Sequence, residues 1–362
     1  MNPVTARLLG QQLVCPQFTS PHDAVAWMGA MQAQDYRMMR WAVAMRTKRP
    51  SMKAFEKDFD AGRIVRTHLF RTTWQLVAGE DLGWMLELCR EPALRGLFGW
   101  MNTNGVHIPE SEQAEIQQVF ADVLSKNRIA LKADLAAAVA DRGIVMNDQR
   151  LSYHIRLAEY SGLVCSGDLF PLKNSYALVS DKIPDTRHFS REEALALLTR
   201  KYFRSHGPAT LEDFVWWSGL GINDCRKGMA DMGPELIRER WKGLDLFLHK
   251  DSRTRGFRSG RVHLLPPYDE YLIGYKSRQV ALRPDHSHRA HNNSGIFWPV
   301  VLQDGEVVGN WNVSAGKVAV QIFHPEADLN EKGLQEEMER FNRSFSLSSS
   351  PSRSAVHPDN LP

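Results

Sequence analysis

Three times along this chain a group of helical segments gives way to short strand-like runs, and that repetition constrains the fold more than any single motif. In the first group, residues 4–13 read as a short helix. Ser20-Pro21 then supplies an N-cap and a first-turn proline for a second helix carrying Ala24, Val25, Trp27, Met28 and Met31. Runs 38–45 and 51–61 are also helical, the latter stopped by Gly62, and 63–77 alternates as a hairpin or two short strands. The second group has helices at 82–89, 110–125, 131–142 and 148–160, then strand-like runs at 163–167 and 175–179. The third has helices at 191–203, 206–214 and 222–232 before a strand opening at Leu244. Helices followed by a hairpin is the order of a winged helix, a helix-turn-helix variant used mainly on DNA.

From Lys250 the pattern changes. Arg253, Arg255, Arg258 and Arg261 crowd a Gly/Ser-rich turn, and strand-like runs at 297–302, 307–313 and 317–323 are joined by turns at Asp304-Gly305 and Ala315-Gly316. A single helix, 330–343, closes the ordered part, and the Ser/Pro-rich remainder reads as disordered. The expected class is therefore mainly α with β. Three tandem winged-helix units (1–100, 101–185 and 186–250) precede a small barrel-like β domain (251–343) and a tail (344–362).

Composition narrows the function classes. With 43% hydrophobic and 24% charged residues the chain is an ordinary globular protein of 362 residues, large enough for several cores. No apolar run approaches the roughly 20 residues a membrane span needs, and residues 1–11 lack a secretory core, so a cytoplasmic, monomeric protein is expected. Cys15, Cys89, Cys165 and Cys225 lie too far apart for a disulfide framework or a zinc site. His286, His288 and His291 sit in a polar tract and are read as incidental, so neither metal nor cofactor is expected. A net charge of +3 is mild, which puts the weight on local clusters.

The stretch with chemistry in it is Met31-Gln32-Ala33-Gln34-Asp35-Tyr36. A glutamine side chain carries one acceptor and two donors on one plane, so a pair can fix a water or a base edge without charge. On a continuous helix residues two apart point roughly 200° from one another. A joint role for Gln32 and Gln34 therefore requires the helix to end or bend near Ala33. Asp35 supports the site or caps the next helix. Arg63, Arg66 and Arg71, interleaved with threonines and aromatics, are candidate phosphate contacts, as are Arg253, Arg255 and Arg258.

Four strings together carry a family resemblance: Met31-Gln-Ala-Gln-Asp35; Arg66-Thr-His-Leu-Phe-Arg-Thr-Thr-Trp74; His206-Gly-Pro-Ala-Thr210 with Trp216-Trp-Ser-Gly219; and Leu264-Leu-Pro-Pro-Tyr-Asp-Glu-Tyr-Leu-Ile-Gly-Tyr275. Across nearly all of residues 5–325 the chain resembles the bacterial winged-helix DNA glycosylases that act in azinomycin resistance and interstrand-crosslink repair. The resemblance implies three winged helices and a β-barrel in a C shape around double-stranded, damaged DNA, with a Gln-x-Gln catalytic motif matched here by Gln32 and Gln34. This chain has Gln75 where members often carry His, and Asn312-Val313 where a basic pair is common. The activity implied is monofunctional hydrolysis of the N-glycosidic bond of N7-alkylated, cationic purines, crosslinks among them, as the first step of base excision repair. Such a base is already a good leaving group, so the enzyme must stabilise an oxocarbenium-like sugar and place a water. The competing reading is a non-catalytic winged-helix regulator, against which stands the absence of an evident ligand-sensing or dimerisation segment.

Overall fold

The computed structural model describes residues 1–170, 173–314, 316–324 and 328–344. The chain beyond Ser344, expected to lack order, and Ala315 of one expected turn lie outside them. The first unit comprises α1 (Pro3–Gly10), α2 (Pro21–Met28), β1 (Ala30–Gln32), α3 (Met39–Ala44), α4 (Met52–Asp60), β2 (Ile64–His68) and β3 (Trp74–Ala78). Helix α5 (Leu82–Thr103) leads to α6 (Glu110–Asn127), β4 (Ala130–Leu131), α7 (Lys132–Asp141), α8 (Asp148–Tyr160), β5 (Val164–Ser166) and β6 (Ser175–Leu178). After α9 (Val179–Lys182) come α10 (Arg191–Ser205), α11 (Leu211–Ser218), α12 (Ile222–Asp231), β7 (Leu236–Trp241) and β8 (Leu244–His249). The last part holds β9 (Val262–Leu265), α13 (Glu270–Ile273), α14 (Ser287–Ala290), β10 (Val300–Gln303), β11 (Glu306–Ser314), β12 (Lys317–Ile322) and α15 (Glu331–Ser344). The fold is mixed α and β.

The repetition is real at the level of topology. The first two sheets run β1-β3-β2 and β4-β6-β5, each with the last strand in the middle. In the third unit a single bridge, Ala209 to Phe247, stands where β1 and β4 stand, pairing the chain before α11 with the last strand, β8. Each unit thus reads helix, strand or bridge, helix, helix, strand, strand. The C-terminal strands, expected to be barrel-like, form an open antiparallel sheet in the order β12-β11-β10-β9, and no pairing of β9 with β12 closes it among the described residues.

Two local departures bear on the site. The second helix was expected to include Met31, but Gly29 takes φ +81°, α2 stops, and 30–32 becomes strand. Met31 is equally buried either way, so its apolar character could not decide between period 3.6 and period 2. Helix α5 runs past its expected end at Cys89 and through Pro92, because Cys89, Ala93, Leu97 and Met101 continue a buried stripe at four-residue spacing. The C-terminal sheet does not stand alone. Leu8, Leu9 and Trp41 of the first unit share a buried cluster with Leu264, Val301, Trp311 and Phe341. That packing draws the N-terminal helix onto the last domain. Among the described residues no helix is long and apolar enough to cross a membrane.

Candidate active site

The helix break that a joint role for the glutamines requires is present at Gly29 to Ala33. Strand β1 pairs with β3 so that Gln32 lies opposite Gln75, and Ala33 N–H continues the ladder by donating to Trp74 O at 2.8 Å. In extended chain, residues two apart share a face.

Gln32 is buried, and its side-chain oxygen is crowded with donors: Gln75 Nε2 at 2.9 Å, Thr73 Oγ1 at 3.2 Å and an Arg71 guanidinium nitrogen at 3.4 Å. Arginine only donates, so Arg71 fixes which end of the amide faces inward. The oxygen of Gln32 is committed to the protein, and its NH2 group remains to be offered. Gln34, by contrast, is exposed and takes no side-chain hydrogen bond among the described residues. The two amides are not equivalent.

The backbone N–H of Gln32 donates to Glu270 Oε1 at 2.5 Å. Glu270 is buried at the start of α13, and its other oxygen lies 3.1 Å from both His206 Nε2 and Trp217 Nε1. His206 is pushed below the ordinary histidine range by burial, which outweighs the pull of Glu270, so it stands as a neutral donor to a carboxylate. Glu270 is also the acid that offsets the desolvation of Arg71, whose guanidinium is otherwise held down by burial. Arg71 and Thr72 both adopt left-handed backbone, φ 54° and 59°, an arrangement rare for such residues.

The other expected site residues fall in different places. Asp35 Oδ1 accepts from Arg37 N–H at 2.9 Å and Met38 N–H at 2.8 Å, capping the turn before α3. Arg66, expected at a DNA surface, is instead 3% exposed. Its Nε donates to Ala33 O at 2.9 Å, a second nitrogen to Asn174 at 2.7 Å, and its guanidinium lies 3.8 Å from the Trp74 ring. It thereby holds the peptide between the two glutamines, from the inside. Arg63 is half-exposed and paired with Asp58 at 2.5 Å. Arg255 and Arg258 are exposed, whereas Arg253 donates to Cys15 O at 3.0 Å.

Sequence reasoning passed over Glu270, His206 and Thr73 as parts of this site, although all three lie within the strings that carry the family resemblance, and it met Gln75, the residue after one of those strings, only as a departure from the family. The Trp-Trp pair lies in an apolar helical run, Phe214-Val215-Trp216-Trp217, whose composition points both rings to the core. Trp217 is there, but Trp216 is 37% exposed. The histidine tract was read as three residues near one another in sequence. The fold brings His286 instead against His324, Nε2 to Nε2 at 2.8 Å, with Asp285 alongside.

With this geometry in hand, comparison with known proteins gives a consistent answer. The family model described as DNA glycosylase AlkZ-like matches residues 25–344. An interstrand DNA cross-link repair glycosylase of Streptomyces sahachiroi is 24% identical over 352 residues, which is 92% of this chain and 93% of that protein. The solved structure of Streptomyces sahachiroi DNA glycosylase AlkZ shares the fold, with a TM-score of 0.78 at 24% identity, covering 97% of this chain and 98% of that one. The family match spans most of the sequence, and the chain belongs to the AlkZ-like DNA glycosylase family.

Proposed function

We propose that this member of the AlkZ-like DNA glycosylase family is a monofunctional enzyme that hydrolyses the N-glycosidic bond of N7-alkylated, cationic purines in double-stranded DNA, interstrand crosslinks included. The observation that carries the reading is the contrast between the two amides. Gln32 is locked by Gln75, Thr73 and Arg71 at the end of β1, while Gln34, two residues on, leaves both its oxygen and its NH2 group free. Gln34 orders the attacking water. Gln32 presents N–H donors from a rigid frame.

The reaction needs little else from the protein. Water oxygen bonds to C1′, the C1′–N9 pair passes to the base and neutralises its charge, and the proton leaves to solvent. No general acid is required for a leaving group that departs neutral. The Glu270 carboxylate adds a buried negative charge behind the Gln32 peptide, of the sign that favours an oxocarbenium-like sugar. No lysine hydrogen-bonds into this group among the described residues, in keeping with hydrolysis rather than a Schiff base. Asp35 is assigned to capping, and Arg66 to positioning through Ala33.

The three repeated units are inferred to be winged helices, 1–100, 101–185 and 186–250, which with the domain at 251–343 hold DNA as a monomer. Arg63, Arg253, Arg255 and Arg258 are proposed contacts to its backbone. The test is duplex DNA containing 7-methylguanine, treated with base to reveal abasic sites. Gln34→Ala is expected to slow single-turnover release by about 10²–10³-fold without weakening DNA binding. No release by the wild type, or strand cleavage without base, would overturn the assignment.

A further inference from the structure

A cationic groove lies beside the glutamine site and is not absorbed by that reading. Two recesses, of about 650 Å³ and 410 Å³, meet at Glu212 and Lys276. The smaller is walled by Arg71 and Trp216, the larger by Arg278 and Arg283. Glu212 and Asp213 also line these recesses, but the four basic side chains form no ion pair with either among the described residues. Arg71, Lys276 and Arg278 form no ion pair among the described residues, while Arg283 pairs only with exposed Asp285 at 3.4 Å. The Nε atoms of Arg71 and Arg278 are buried without a hydrogen-bond partner. Arg278 is packed between the Trp216 ring (5.7 Å) and the Phe297 ring (4.8 Å), and Arg71 lies 5.0 Å from the same Trp216. Trp216 is itself pinned by an Nε1–H bond to Ile273 O at 2.9 Å.

Holding guanidinium groups this close, partly desolvated and unpaired, is costly unless an anion joins them. Burial and the repulsion of Arg71 together push Arg278 down to about 10. The side chains are spaced along an open groove rather than around a closed pocket, which suits a repeating anion. Arg71 also touches the oxygen of Gln32, so whatever occupies the groove is read out at the site.

We propose that this groove is a phosphodiester-binding track: Lys276 and Arg278, on the chain following α13, contact successive backbone phosphates of the DNA, and Arg71 joins the track to Gln32. The inference rests on DNA as the family's substrate, not on the roles of the glutamines. None of these residues except Arg71 stood out in the sequence as a DNA contact, because Lys276, Arg278 and Arg283 are diluted among Ser, Gln and Leu.

The experiment uses undamaged fluorescent duplex DNA and the full chain, with binding constants measured by anisotropy from 50 to 200 mM salt. Each phosphate contact contributes about 0.9 to the slope of log K against log salt. Lys276→Gln should lower that slope by about 1 and Lys276→Gln/Arg278→Gln by about 2, so the double variant loses roughly twelvefold less affinity over the fourfold salt range. Lys276 is exposed, so its replacement leaves the fold intact, and this single variant decides the matter if Arg278→Gln melts early. A wild-type slope in Lys276→Gln overturns the track. Since no cleavage is read, an inactive but normally binding protein would count against the catalytic assignment alone.

Discussion

If Gln32 is a frame and Gln34 a working group, their alanine variants must separate stability from rate. Gln32→Ala removes the acceptor shared by Gln75 Nε2 at 2.9 Å, Thr73 Oγ1 at 3.2 Å and Arg71 at 3.4 Å. Gln75 still reaches Thr73 Oγ1 at 2.9 Å and Thr73 still reaches Phe70 O at 2.9 Å, so neither is orphaned outright. Arg71 loses the one side-chain acceptor it has among the described residues. At about 1 kcal/mol for each good bond and about 1–3 for a buried donor left bare, the cost sums to about 2–4 kcal/mol. That corresponds to a fall on the order of 5 °C in the thermal midpoint. Gln34→Ala removes an exposed side chain with no partner and should stay within about 0.5 kcal/mol of wild type. Differential scanning fluorimetry and single-turnover release of 7-methylguanine, run on the same preparations, check both halves. Equal melting of the two variants would refute the division, and so would a Gln34→Ala enzyme that is fast. Gln32→Glu keeps the acceptors and gives Arg71 a counter-charge. It should melt nearer wild type than Gln32→Ala does.

Three further outcomes are expected. Arg66→Met, which removes the bonds to Ala33 O and Asn174, should slow release at least tenfold while leaving the salt slope of DNA binding unchanged; a shallower slope would restore Arg66 as a phosphate contact. Gly219 has φ +68°, and a Cβ there would meet Arg71 Cγ at 3.1 Å, so Gly219→Ala should cost about 1–2 kcal/mol and lower the rate through Arg71, read as a melting shift together with a slower turnover. The hydrogen bond from His22 Nε2 to Glu80 raises His22 to about 9. A raised histidine stabilises fully below about 6.5, its unfolded value, and the gain is lost as pH climbs through 9, about 1 kcal/mol after solvent screening. The thermal midpoint should therefore fall between those limits, and His22→Gln should flatten that fall.

Much of this architecture was legible because its signal is local. The three repeats follow from caps, glycine stops and periodicity, each contained within a dozen residues, and the need for a break at Ala33 follows from helix geometry alone. What could not be read is set by pairing across the chain. Strand β1 has only three residues, too few for an alternation to register, and exists because β3 offers it an edge. Arg66 looked like the wet side of a hairpin, since Arg66 and His68 fall two apart on one face of a strand with Val65 and Leu69 outside them, as exposed residues would. It is buried because Ser166 and Asn174 of the second unit close over that face. The open C-terminal sheet and the expected barrel differ only in whether β9 meets β12, which strand patterns do not encode. Glu270 reaches Gln32 across 238 residues of sequence, and no pattern at either end announces the other.

That long connection explains why the site needs the whole chain. The acceptor end of Gln32 is held by β3 of its own unit through Gln75 and Thr73. Its peptide N–H is held by Glu270, which is oriented in turn by His206 and Trp217 of the third unit. Arg66 holds the next peptide and is fixed by the second unit through Ser166 and Asn174. Each hold alone is a hydrogen bond worth about 1 kcal/mol, too little to keep an uncharged amide in one orientation at a solvent boundary. Together they restrain the oxygen, the N–H and the following carbonyl, leaving Gln34 as the member whose side chain the protein does not hold. Uncharged groups stabilise a developing cation only weakly, so placement has to supply what charge does not. A motif of two amides therefore selects for a frame drawn from several units, and a break in any one of them should reach the rate before it reaches the fold.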